Sequence, residues 1–140
     1  MRSCQPVEAD VDNIAINHTG VSKMSKTAVQ VDLAWIGDES QTMRIHAILS
    51  CGKLASDEMY FHLYEATDDG KQLMPGLLQN EDGIFQRYFA EWGYGDESNI
   101  TFEFLDRPLE LGQEVLRVDT AESESVKYVY RVIGLTDLLA

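Results

Sequence analysis

Two of the three histidines, His46 and His62, lie in runs that alternate apolar and polar residues. If those runs pair as a hairpin, the length of the connection brings His46 near His62 on the outward face, with Tyr60 and Tyr64 alongside. Paired imidazoles can hold a zinc ion or exchange a proton near neutral pH. His18 lies in a stretch with no assigned element, so no third ligand is in view. An ordinary polar sheet face is the plainer expectation, and neither a metal nor a cofactor is expected.

Carboxylates are the more abundant reactive group. They come in pairs at the turns: Asp38-Glu39, Asp57-Glu58, Asp68-Asp69, Glu81-Asp82, Asp96-Glu97, and Glu122 with Glu124. Successive loops of an antiparallel sandwich alternate between its two ends, so one end is expected to gather Asp38, Glu39, Asp68, Asp69, Glu81 and Asp82. Calcium takes about six to eight oxygen ligands, which loop carboxylates can supply. A sandwich of this size with clustered acidic loops resembles a C2 domain, and that resemblance implies a calcium-dependent binding module. None of that family's motifs is present, and no loop has the EF-hand spacing. Generic surface acidity is the simpler account.

Other routes to chemistry are missing from the sequence. There is no serine nucleophile elbow, no phosphate-cradling glycine loop and no paired-cysteine motif, so catalysis is not expected. The two cysteines, Cys4 and Cys51, give neither a disulfide framework nor a metal spacing. Cys51 ends an apolar run and reads as a small buried hydrophobe.

The charge balance is the most informative total. Eleven bases against twenty-four acids leave a net −13. The excess concentrates between Thr67 and Glu124, where fourteen acids face four bases. Such a field repels nucleic acid and anionic membrane, and it steers a basic partner toward the surface. No apolar run reaches the roughly 18 residues of a spanning helix, and the first ten residues lack the apolar segment of a signal peptide. The expected setting is cytoplasmic.

The positions that would meet such a partner fall between Ile84 and Leu105. This stretch holds seven of the thirteen aromatic residues. Its centre places Tyr94 between two glycines, after Trp92 and just before Asp96 and Glu97. With Phe89, these residues form the expected partner-binding set: Trp92, Tyr94, Asp96, Glu97 and Phe89. The four residues Gly-Asp-Glu-Ser occur at 37–40 and again at 95–98, each after a tryptophan, which hints weakly at a repeated strand-turn-strand unit.

The elements that position these residues read as strands throughout. Val29, Val31, Leu33 and Trp35 alternate with Gln30 and Asp32. Met43, Ile45, Ala47 and Leu49 form a second apolar face, and Met59, Phe61 and Leu63 a third. Asp69-Gly70 marks a tight turn. The chain is expected to return through a short strand at 72–74, broken by Pro75-Gly76. Strands follow at 84–92 and 99–105, a weaker one at 112–120 with Leu116 and Val118 inward, and a last one around Val126 to Val132. No segment has a helical period. The expected fold is all-β, an antiparallel β-sandwich or partly closed barrel of about seven to eight strands. It forms a single domain over residues 1–140, with 1–6 and 136–140 mobile.

Three functions fit this reading. The first is a non-catalytic acidic interaction protein, of inhibitor or immunity type, that binds a basic protein. The others are a barrel carrying a small lipid-like ligand and the calcium-dependent module.

Overall fold

A computed structural model describes residues 26–92, 99–121 and 123–139, apart from the side chains of Thr67 and Trp92. Among the described residues, nine strands make one antiparallel sheet: β1 (Lys26–Trp35), β2 (Asp38–Ser50), β3 (Lys53–Leu54), β4 (Glu58–Thr67), β5 (Gly70–Asn80), β6 (Arg87–Trp92), β7 (Asn99–Glu103), β8 (Glu114–Ala121) and β9 (Glu124–Asp137). β4 to β9 follow one another in space as they do in sequence. β1 then pairs with β9 on one side and β2 on the other, which closes the sheet. The result is an eight-stranded up-and-down barrel, with β3 as a two-residue addition beside β2. Closure removes the sheet edges and encloses the apolar faces that alternation in the sequence produces.

The interior is filled by side chains. Tyr88, Phe61, Phe102, Met43, Met59 and Leu78 are among the largest, and each is essentially inaccessible. The apolar faces of β1, β2 and β4 point inward as their sequences require, and Tyr60, His62 and Tyr64 point outward.

Several local expectations change. β5 is one continuous strand through Pro75-Gly76 rather than a short strand with a break. Gly76 faces Phe61 across the β4–β5 ladder, where a Cβ would sit 2.5 Å from the Phe61 ring and 2.7 Å from the Glu91 carbonyl oxygen. The glycine therefore makes room for the ring. Pro75 has no partner in the described part of the β5–β6 ladder, so its missing N–H takes no bond from that part.

Because β5 does not turn back, Glu81 and Asp82 lie at the opposite end of the barrel from Asp38, Glu39, Asp68 and Asp69. β6 begins at Arg87, and the segment before it is a loop in which Phe85 has a positive φ. Asp82 organises that loop. Its carboxylate accepts from the backbone N–H of Ile84, Gln86 and Arg87 and from the Asn80 side chain.

The last two strands also differ from expectation. In β8 the inward residues are Val115, Arg117 and Asp119, not Leu116 and Val118. Arg117 lies opposite Phe102 and Tyr128, and Asp119 opposite Ile100, all on the inner face. A charged pair facing the interior inverts the apparent alternation. β9 extends to Asp137, and Thr136 and Asp137 pair with Gln30 and Val29, so they belong to the sheet. Cys51 is half-exposed in the turn after β2 and is disulfide-bonded, not a buried hydrophobe. The sequence has one other cysteine, Cys4, which lies outside the described residues.

Candidate functional site

The two ends of the barrel are built differently. At one end, the loop end, residues 51–57, 81–86 and 104–113 fold across the opening. Leu54, Phe104 and Leu109 are buried there, and Tyr88 donates its hydroxyl to the Ser56 carbonyl at 2.8 Å. Backbone bonds from Leu109 to Gly52 and from Phe104 to Gln86 lace the three loops together. Burial pushes the Tyr88 phenol far above its ordinary value, with the Asp82 and Asp57 charges adding to the effect.

At the other end, the turn end, tight turns join β1 to β2, β4 to β5 and β8 to β9. Trp35, at the end of β1, packs edge-on against Tyr128 with ring centroids 5.4 Å apart. Gly37 follows because a Cβ there would sit 2.7 Å from the Trp35 ring. This close approach explains the glycine in the first Gly-Asp-Glu-Ser copy.

Beneath these rings lies Arg117, whose side chain is 12 % exposed. Its Nε and Nη2 donate to both Asp119 oxygens, at 2.7 and 2.9 Å, and Nη1 donates to the Tyr130 hydroxyl at 3.2 Å. The guanidinium lies 5.1 Å from the centre of the Tyr128 ring. Burial works to lower the Arg117 pKa, but the bonds to Asp119 and the contact with Tyr130 outweigh it, and the group stays charged. Burial pushes the Tyr130 phenol up, and Arg117 offsets part of that rise. The cluster is a polar floor in which the cation is already satisfied.

Around that floor stand the acids of the turns. Glu39, Asp68, Asp69 and Glu124 are exposed and form no ion pair among the described residues. Asp38 accepts from the Ser40 hydroxyl and backbone N–H, bonds that hold its carboxyl below the usual value. Acids elsewhere are more often engaged: Asp32 with Arg44, Asp106 with Lys53, Glu103 with Arg87, and Asp82 with its own loop.

The residues picked from sequence divide as follows. Phe89 is half-buried on the outer side of β6, between Gln79 and Thr101. Trp92 ends β6 opposite Gly76, in the middle of β5. Tyr94, Asp96 and Glu97 lie outside the described residues, as does the second Gly-Asp-Glu-Ser copy. Sequence reasoning missed Arg117 and Asp119. Their i, i+2 spacing within a strand was the available signal, since it puts both on one face.

The outer wall carries a second polar group. Arg44 Nε donates to Asp32 Oδ1 at 2.8 Å, and the Gln30 amide donates to Asp32 Oδ2 at 3.2 Å. A depression of about 290 Å³ beside this pair is lined by Thr42, Tyr64, Ile133 and Gly134. His46 and His62 lie next to it with ring centroids 6.3 Å apart, the juxtaposition that a hairpin of these runs requires. Among the described residues, no three His, Cys, Asp or Glu side chains converge on one point. Among the described residues, no helix is long and apolar enough to cross a membrane.

No family model, curated protein or solved structure matches the chain.

Proposed function

We propose that the protein is a non-catalytic binding protein whose turn end takes a basic protein partner. The observation that carries this reading is the set of exposed acids on the described turns, Asp38, Glu39, Asp68, Asp69 and Glu124, none of which has an ion-pair partner among the described residues. They surround a floor whose cation is already paired with Asp119. An unpaired acidic rim on a chain of net −13 speeds encounter with a cationic surface, and its effect falls with added salt. Trp92, Tyr94, Asp96, Glu97 and Phe89 remain the proposed contact set. An aromatic anchor among acids suits an inhibitor of a basic enzyme or toxin.

The test is binding to a panel of basic and acidic proteins across a salt series. Capture of basic members, with affinity falling steeply as salt rises and falling further in Asp38→Asn/Asp68→Asn/Asp69→Asn, supports the reading. Equal capture of acidic and basic proteins, insensitive to salt, defeats it.

Closure into an up-and-down barrel favours a second reading, a small-ligand carrier. Side chains fill the interior, so a ligand would have to displace some of them, entering at the Trp35, Tyr128 and Arg117 end. Quenching of tryptophan fluorescence by a fatty acid, lost in Trp35→Phe, would favour it over the protein partner.

The disulfide at Cys51 favours an oxidising compartment over a cytoplasmic setting. A thiol count on the denatured, unreduced protein that finds two free thiols would restore the cytoplasmic reading.

A further inference from the structure

We propose that His46 and His62 form a two-imidazole site for a divalent transition-metal ion on the outer wall of the barrel. The β2–β4 ladder ends at Ile45 opposite Phe61, and Arg44 is the direct partner of His62. His46 is therefore diagonal to His62 on the same face, and the two rings stand edge-on with centroids 6.3 Å apart.

A metal–imidazole bond is about 2.0 Å, which sets an ion about 3.2 Å from each ring centroid. Rings 6.3 Å apart are thus near the widest span one ion can bridge, and a tetrahedral angle, with centroids about 5.2 Å apart, needs side-chain rotation that brings them about 1 Å closer. That rotation is open to them, because His46 is exposed and His62 half-buried. The barrel wall fixes the backbone beneath, so little ordering is left for the ion to impose.

The surroundings favour a cation. Arg44, the nearest positive charge on this face, is tied to Asp32. Gln30 lies opposite His46 on β1 and uses its amide nitrogen on Asp32, which leaves the carbonyl oxygen without a hydrogen-bond partner among the described residues and free as a further donor. The net −13 of the chain raises the local concentration of dications. Imidazole nitrogen then selects copper, nickel or zinc over magnesium and calcium. This site does not depend on the basic-partner reading.

The test is titration of the full chain with Cu²⁺ and with Zn²⁺ in a non-coordinating buffer, with the Cu²⁺ complex also examined by electron paramagnetic resonance. The expected result is one ion per chain, with hyperfine structure from two nitrogens. His46→Ala and His62→Ala should each weaken binding by at least about tenfold, the loss that even outer-shell partners of metal ligands commonly cause. Both side chains are on the outer face, so circular dichroism of the variants should match the parent. His18→Ala should leave affinity unchanged. The proposal is overturned if the double variant keeps the parent's affinity, if no ion binds, or if His18→Ala loses as much as His46→Ala.

Discussion

The loop end and the turn end of this barrel solve the same problem with different materials. At the loop end, three connections fold over the opening and bury Leu54, Phe104 and Leu109 around the Tyr88 ring. Two of its polar groups are spent on the fold itself, Tyr88 on Ser56 and Asp82 on three backbone N–H groups, while Asp57, Glu81 and Glu110 stay exposed without an ion pair among the described residues. At the turn end the described connections are tight turns, and the interior finishes in Arg117, Asp119 and two tyrosines. The acids around it are left for solvent or a partner. In the proposed reading, the plugged end holds the core and the turn end meets the partner.

Substitutions at the two ends and between them test this division. The largest loss is expected from Tyr88→Ala, which empties the centre of the plug; unfolding in urea should show a loss of about 3–5 kcal/mol. Tyr88→Phe should cost only about 1 kcal/mol, the net value of the hydroxyl's bond to Ser56. Tyr88→Phe also carries a pH signature. The folded phenol's pKa is raised, so its stabilisation is present below the ordinary tyrosine value and lost as pH climbs above it. The variant should therefore unfold less readily in alkali, and an unchanged alkaline limb would remove Tyr88 as its source.

Between the ends, Gly76→Ala should cost about 1–3 kcal/mol through the clash with Phe61. Adding Phe61→Leu should recover part of that loss and not all, because the Glu91 carbonyl remains too close. A purely additive double mutant would mean that Gly76 is not there for the ring.

At the turn end, Arg117→Met should cost about 2 kcal/mol by leaving Asp119 unpaired in the inner wall. Arg117→Met with Asp119→Leu should be more stable than either single variant. If the singles are neutral, the polar floor is wet and mobile, and the contrast with the loop end weakens.

Asp82→Asn should change the acid limb of the stability curve. Burial acts to raise the Asp82 pKa, but the N–H donors of its loop outweigh that and hold it below the usual carboxylate value. Its contribution is thus present above the ordinary aspartate value and lost as pH falls below it. The smallest effect on stability belongs to the rim. Asp38→Asn/Asp68→Asn/Asp69→Asn should stay within about 0.5 kcal/mol of the parent, while changing partner binding.

Legibility in the sequence follows how local each feature is. Val29 to Trp35, Met43 to Leu49 and Met59 to Leu63 announced their faces, because alternation is a property of neighbours along the chain. The same rule failed in β8, where Arg117 and Asp119 neutralise each other and so can face inward while Leu116 and Val118 do not. It failed again at Pro75-Gly76, which reads as a break until Phe61 is seen to need the space. The His46–His62 juxtaposition could be anticipated from connection length. The Arg117 floor required knowing that Tyr128 and Tyr130 lie across from β8.

The sequence by itself determined that the described part of the chain is all-β, which residues of β1, β2 and β4 are inside, and that the chain is acidic. These depend on period and composition. Only the tertiary structure decided that the sheet closes through the β1–β2 pairing, that β5 runs unbroken and so puts Glu81 and Asp82 at the far end from Asp38 and Asp68, and that a charged pair lines the turn end. Each of these depends on which distant strand lies alongside, and that is settled by pairings between residues far apart in the chain.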